Sequence, residues 1–490
     1  MSTVTNLIKG GAWLTIASLI SKLASALSLP VLARLLNPEL LGIYSIIFSL
    51  TQSIRNFSSL GVEIAMHRNG AQYKTVGVES VGRLFGVGFS LVCLSSTVTA
   101  LTVLCFREFV ASHLLGQPNI SPWLAIASLT VVLQPMGDIP LLFLASLHAF
   151  QAYAIRSSTG LIFGSVLSII LTSKFSLSGA IWGLTLTALS QILWSYLCVK
   201  PVLQAAGIRL RVDNFWQQTV SIFRFGFPYY FGNTLLGSLI HLPLMGLVSK
   251  YGGLEELGHL RVAVSISMIV GFIPSAITPA ALSYLSTSAV DKDRSNYLKC
   301  VHLRIVWIVT VILTGMLSLV IPSIINSLFG AAYQNAIPLA WAQLWLTIIV
   351  SISSVLTQCL VASGKTLRSC WASTIGIIAW VAGAMILVPN HPGMGFLASQ
   401  AICYIVMCLA MVYPAVINST SREDLGLLRN LSIFTFALFL WELLLSQFKL
   451  GILETWCFML LTGIMSVVFL YWLALNSDER SKVRKLLLHR

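Results

Sequence analysis

Ala33-Arg34-Leu35-Leu36-Asn37-Pro38-Glu39-Leu40-Leu41-Gly42 is echoed 216 positions later by Ser249-Lys250-Tyr251-Gly252-Gly253-Leu254-Glu255-Glu256-Leu257-Gly258. In each, a cation is followed by an acid and then by leucine and glycine punctuation, and each segment joins two long apolar stretches. Further pairs keep nearly the same offset: Leu115-Gly116 with Phe329-Gly330, Ala149 with Ala362, and Gly179 with Gly393. A spacing that persists this far along the chain marks a duplication. Because the repeated unit is several apolar stretches long, it is a duplicated bundle and not a solenoid.

Composition sets the medium. The 490 residues are 57% hydrophobic and only 9% charged, with mean hydropathy +0.87, and apolar runs of membrane-spanning length recur. The chain therefore reads as an all-α polytopic membrane protein. A β-barrel is excluded, because its signature is short alternating segments and not long apolar runs. About fourteen transmembrane helices are expected, near 12–33, 41–60, 83–105, 122–147, 156–173, 178–199, 224–249, 259–282, 303–327, 336–362, 368–388, 394–416, 431–447 and 452–475.

An even count puts both termini on one side, and the cations say which. Twenty-two of the thirty Lys and Arg residues, Arg156 and Arg224 among them, are assigned to that side, against six opposite and two (Lys22 and Arg55) within spans. The asymmetry predicts cytoplasmic N- and C-termini in the cytoplasmic (inner) membrane. It also accounts for most of the +14 net charge, so topology and anionic membrane lipids explain the basic balance and nucleic acid is not an expected partner. The nine cysteines form no CxxC pair, so neither a disulfide framework nor a metal site is indicated. The first apolar run is too long for a cleavable leader, and its removal would spoil the repeat.

The repeat divides the chain into an N-terminal six-span lobe over 1–200, a cytoplasmic linker over 201–223 and a second six-span lobe over 224–416. A cytoplasmic link over 417–430, two extra spans over 431–475 and a basic tail over 476–490 follow. Six spans per lobe leave both lobes in the same orientation, related by a pseudo-twofold along the membrane normal, an arrangement typical of transporters.

Several segments together resemble one family: Lys9-Gly10-Gly11-Ala12-Trp13, Leu32 through Glu39 to Gly42-Ile43-Tyr44, Phe225-Gly226-Phe227-Pro228, Leu254-Glu255-Glu256-Leu257-Gly258, Pro279-Ala280-Ala281-Leu282-Ser283 and Leu328-Phe329-Gly330. Their order and spacing are similar to those of the polysaccharide-exporter branch of the multidrug/oligosaccharidyl-lipid/polysaccharide superfamily, which contains the O-antigen and exopolysaccharide flippases. The resemblance covers about 1–416, and the last two spans fit its fourteen-span members. A departure is His259-Leu260, where the family usually has a small residue followed by Tyr.

Ionisable groups inside spans are the functional candidates, since each costs at least ~2–3 kcal/mol at mid-bilayer without a cavity or partner. Lys22 has Ser18, Ser21, Ser25 and Ala26 as helical neighbours; it reads as a cation meeting a substrate phosphate, or as one paired with a buried carbonyl or acid. Arg55, with Gln52 on its face, would line the cavity or snorkel to the interface. Asp138 sits between two prolines in Gln134-Pro135-Met136-Gly137-Asp138-Ile139-Pro140, as a coupling site for H⁺ or Na⁺ or as the partner of Lys22 or Arg55. Arg224, Tyr229 and Tyr230 are weaker lumen candidates, and His241 is a lumen residue or a packed core histidine. Arg34 and Lys250 read as scaffold pairs of Glu39 and Glu255, and Glu442 as interfacial.

No nucleophile–base pair, P-loop or dinucleotide motif is present. The sequence therefore predicts a transporter and not an enzyme, without cofactor or metal, driven by H⁺, Na⁺ or the substrate gradient. By resemblance, the cargo is a polyprenyl-pyrophosphate-linked oligosaccharide flipped outward for surface polysaccharide synthesis, with the polymerase and chain-length machinery as further partners. The alternatives are an ion-coupled multidrug exporter, which cationic lumen groups argue against, and a glycan polymerase or ligase, which would need a long outer loop.

Overall fold

The structure, a computed structural model, describes residues 24, 27–59, 61–62, 66, 77–115, 117–147, 149–287, 292–363, 365–415, 422–445, 462–463 and 466. Regular structure among them is helical: α1 Pro38–Ser59, α2 Val78–Cys105, α3 Ser121–Ser146, α4 Phe150–Ala205, α5 Phe215–Tyr230, α6 Leu236–Thr287, α7 Lys292–Ile324, α8 Ala336–Ala362, α9 Thr366–Leu387, α10 Pro392–Ala415 and α11 Arg422–Leu445, with short 3₁₀ and π turns between some of them. Eight helical segments among the described residues are long and apolar enough to cross a membrane. The chain is a multi-pass helical membrane protein. The expected spans 12–33 and 452–475 lie mostly outside the described residues.

Two long elements each contain two helices. Ser176 (φ 52°) breaks α4 between the expected spans 156–173 and 178–199. Gly253 (φ 77°) breaks α6 between 224–249 and 259–282, a backbone conformation that glycine adopts without steric cost. Helices α7 and α11 begin well before the apolar windows 303–327 and 431–447. Hydropathy marks the membrane crossing, whereas backbone hydrogen bonding continues into the polar turns.

The opening segment Asn37-Pro38-Glu39 is a helix start. Asn37 Oδ1 accepts the Leu40 N–H at 2.8 Å, proline fills the first helical position, and Glu39 lies in the first turn, where the helix dipole favours an acid. At its far end, α4 closes with the Ile208 N–H on the Leu203 carbonyl (2.9 Å) and Gly207 at φ 68°. The expected cytoplasmic linker is thus largely helical, which leaves only 206–214 as irregular chain. That stretch lies along a glycine stripe of α2: the Arg211 N–H bonds the Gly82 carbonyl at 3.2 Å, and side chains at Gly82 or Gly86 would strike the Arg209 and Arg211 backbone.

The chain packs as two compact units, Met1–Val262 with Trp380–Ser399, and Ala263–Ala379 with Gln400–Arg490. This division follows packing, whereas the repeat of 1–200 and 224–416 is a feature of the sequence, and the two need not coincide. In the first unit, the halves of α4 form a tight hairpin. Gly160 faces Gln191, Gly164 faces Thr187 and Gly183 faces Ser168, the small-residue approach by which membrane helices gain packing. A core of Val81, Phe85, Phe143, Leu203 and Ile222 joins α2–α5, with Phe85 and Phe143 stacked at 4.2 Å.

The repeated segments meet within this unit. A Cβ on Gly42 would lie 2.7 Å from the Leu254 carbonyl carbon, and one on Gly258 would lie 2.9 Å from that of Pro38. Since 42 and 258, and 38 and 254, are each 216 apart, the two contacts are mates across a local twofold. In the second unit, α7 and α8 pack with α11 around Val311, Trp345, Ile348 and Leu438. Trp307 Nε1 donates to Thr435 Oγ1 at 3.0 Å.

Candidate substrate-binding site

Helix α3 brings an acid into the membrane on an interrupted backbone. Proline at 140 cannot donate to the Met136 carbonyl four residues back and crowds it, which interrupts the helix beside Gly137-Asp138. Side chains bond the backbone next to that interruption. The α4 hairpin register that opposes Gly160 to Gln191 and Gly164 to Thr187 continues one turn further, and there it opposes Arg156 to Ser195. Arg156 Nε donates to Ser195 Oγ at 2.7 Å, and Ser195 Oγ donates to the Gly137 carbonyl at 2.9 Å. The same carbonyl receives Arg156 Nη2. The approach is close at 137, where a Cβ would stand 3.1 Å from that nitrogen and push it aside.

Asp138 completes the cluster. Its Oδ1 lies 3.8 Å from Arg156 Nη2 and its Oδ2 3.0 Å from Arg55 Nε of α1, while Arg55 Nη1 donates to Gln52 Oε1 at 3.2 Å. Two guanidiniums share one carboxylate, so the cluster keeps a net positive charge. The burial is graded: the side chain of Arg156 is 3% exposed, that of Asp138 18% and that of Arg55 32%. Arg156 is the anchor, and Arg55 is the cation with open surface.

A second cation lies along the same face of α1. Tyr44, Phe48, Gln52 and Arg55 follow helical spacing, and the Arg261 guanidinium sits 4.1 Å from the Phe48 ring centre. Phe48 and Arg55 are seven residues apart, about 10 Å along a helix. None of the ion pairs among the described residues gives Arg261 an acid. Asn56, beside Arg55, donates to Ser238 Oγ of α6 at 3.0 Å.

The structure therefore unites Arg55, Gln52 and Asp138. Lys22 lies outside the described residues, as does the side chain of Tyr229. Tyr230 is buried. Arg224 is exposed at an open apolar groove of about 800 Å³ lined by Leu91, Leu94, Phe215, Trp216 and Phe223. His241 packs between the Trp380 and Phe396 rings, at 5.9 and 6.0 Å. His259 is buried with Nδ1 3.8 Å from Glu256 Oε2, so the departing residue forms a local pair.

Two residues are not singled out by the sequence. Arg156 reads as one of the loop cations, and Arg261 stands at the very start of the expected span 259–282, among the six cations assigned opposite the termini. Both lie near span ends, where charge alone cannot separate a snorkelling residue from a buried one. For Arg156, the glycines at 137 and 160 were the available signal. Glu442, expected at the interface, is instead 1% exposed.

These helices define a transporter fold. The lipid II flippase MurJ, in an inward closed conformation, shares it with a TM-score of 0.70 at 15% identity, over 97% of this chain and 99% of that one. An inward-facing MATE-family multidrug resistance transporter of the MOP superfamily gives 0.62 at 14% identity, over 80% and 93%. Residues 31–338 match the family described as polysaccharide biosynthesis protein, and the chain belongs to it. A putative O-antigen transporter of Shigella flexneri is 24% identical over 346 residues, 67% of this chain and 78% of the relative. The succinoglycan biosynthesis transport protein ExoT of Rhizobium meliloti (strain 1021) is 23% identical over 335 residues, 68% of this chain and 63% of that protein. The resemblance read from the motifs is borne out.

Proposed function

We propose that this protein flips a polyprenyl-pyrophosphate-linked oligosaccharide from the cytoplasmic to the outer leaflet of the cytoplasmic membrane, for surface polysaccharide synthesis. The carrying observation is the surplus guanidinium of the Arg55–Asp138–Arg156 cluster within membrane helices. A partly exposed arginine tethered by an aspartate fits a site that receives an anion: phosphate oxygens would take the guanidinium edge that Asp138 Oδ2 and Gln52 occupy in their absence. The family membership and the O-antigen and succinoglycan relatives support a glycan cargo.

Alternating access by rocking of two lobes follows from the repeat, and both termini are cytoplasmic by the cation asymmetry. Coupling to H⁺ or Na⁺ is assigned to Asp138, since neutralising its charge would release Arg55, while Arg156 stays on Ser195 and the Gly137 carbonyl. Lys22, in span one, would add a further cation to the phosphate site. The test is flipping of fluorescent polyprenyl-pyrophosphate oligosaccharide in proteoliposomes. Arg55→Gln should lower the rate at least tenfold while the protein remains folded; wild-type rates in Arg55→Gln would remove the arginine from the substrate path. Asp138→Asn should make the rate independent of the ion gradient.

A further inference from the structure

The helix pair that the first half lacks carries a carboxylate which the substrate reading leaves unused. Glu442 of α11 is 1% exposed. Its Oε2 accepts Trp345 Nε1 of α8 at 3.2 Å, whereas Oε1 has no hydrogen-bond partner. Room for that oxygen comes from α7, where a Cβ on Gly315 would stand 3.2 Å from Oε1 and 3.1 Å from Leu438 Cδ2. Phe439 packs on Trp341 and Trp345 with ring centres 5.3 and 5.1 Å away, which gives the pocket an aromatic wall.

Every polar neighbour among the described residues is uncharged. Ser318 and Trp341 are the other polar side chains that act on the carboxyl. From α8 no Asp, Glu, Lys, Arg or His can face it, because that helix contains none. On α7 the nearest charged residue is Arg304, eleven positions from Gly315, and on α11 it is Arg429, thirteen positions from Glu442; these are separations of roughly 16 and 20 Å. Among the described residues, nothing supplies a counter-charge.

A carboxylate ionised in such a place has no cation, and no hydrogen bond on Oε1, to repay its lost hydration. A proton on Oε1 changes the account: the charge vanishes, and the unpartnered oxygen becomes a donor. Ser318 Oγ is free to accept it, because its own hydrogen goes to the Gly315 carbonyl at 3.1 Å. A sodium ion is poorly served, since it needs a shell of oxygens and the indole N–H groups present the wrong polarity.

We propose that Glu442 is a reversible proton-binding site, and that its proton holds α11 against α7 and α8. The O–H bond forms with a proton taken from water, and the proton returns to water when α11 lifts and the carboxylate is hydrated. Wherever the two positions of α11 differ by a few kcal/mol, that exchange shifts their populations. The site shares no residue with the Arg55–Asp138–Arg156 cluster and does not depend on the identity of the cargo.

The test is infrared difference spectroscopy of the full-length protein in lipid nanodiscs, titrated with pH, alongside the flipping assay. Glu442→Gln keeps the size and the acceptor for Trp345. We expect a carboxylic-acid carbonyl band that titrates in the wild type and is lost in Glu442→Gln, and flipping that persists in the variant with a changed pH profile. Superimposable wild-type and Glu442→Gln titrations would overturn the proposal, as would an unchanged pH profile of flipping. If Glu442→Gln does not assemble, Ser318→Ala decides: the band must shift, and an unmoved band removes the site. Loss of glycan flipping in the wild type, with the band intact, would count against the substrate reading alone.

Discussion

Replacing Gly42 with alanine tests the local twofold directly. The new methyl would collide with the Leu254 carbonyl oxygen and lie 2.7 Å from the carbonyl carbon and 3.3 Å from its Cα, against about 3.5–4.0 Å for relaxed carbon contacts. Helix α1 must then retreat by more than ~1 Å, because backbone atoms cannot rotate aside as a flexible side chain would. Overpacking of this kind costs about 1–3 kcal/mol, and the rigid partner puts Gly42→Ala near 3. Gly258→Ala, 2.9 Å from the Pro38 carbonyl carbon and 3.3 Å from the Gly42 nitrogen, should cost about the same. If both glycines serve one crossing, the separation forced by the first methyl accommodates the second. The double variant should then lose about 4 kcal/mol rather than 6, a coupling well beyond the ~0.5 kcal/mol expected of independent sites. Denaturant titration in mixed micelles, followed by tryptophan fluorescence, measures all four corners of the cycle. A Gly42→Ala cost below ~0.5 kcal/mol, or additive losses, would refute the reciprocal contact.

Other predictions concern the charges. Arg156→Met leaves Asp138 to Arg55 alone and the Gly137 carbonyl to Ser195 alone and should cost about 3 kcal/mol, and Asp138→Asn in the same chain should recover part of it; the same micelle titration reads both. Arg55→Gln, at a half-open position, should cost under about 1 kcal/mol, so its effect should fall on flipping and not on folding. Phe48→Ala removes the ring beneath Arg261 and should weaken substrate binding, with a stability loss of about 1–2 kcal/mol by thermal melt. Cysteines placed at Arg34 and Arg429 should label from opposite sides of sealed cells; labelling from one side would overturn the assigned topology.

The helical architecture was legible because both of its signals are local. Runs of apolar residues report a membrane crossing wherever they occur, and Ser176 and Gly253 fall between the windows those runs define. The family, too, was readable from glycines, prolines and leucines at fixed order. Asp138 stood out because two prolines framed it, and Arg55 because it interrupted an apolar span. Arg156 and Arg261 did not, since charge near a span end has the same appearance whether it faces headgroups or a partner far along the chain.

What the sequence determined by itself was a duplicated helical bundle in a membrane, with few charges and a positive surplus. Hydrophobic length and repetition need no knowledge of neighbours. Only the tertiary structure decided which charges meet: one carboxylate shared by Arg55 and Arg156, a guanidinium laid on Phe48, and Glu442 shut among tryptophans. Those pairings depend on the α4 hairpin register and on where helices cross, distances set by packing between segments far apart in the chain. The repeated segment shows both contributions at once. Its duplication is written along the chain, but its role as a crossing, with Gly42 on Leu254 and Gly258 on Pro38, exists only where the two copies touch.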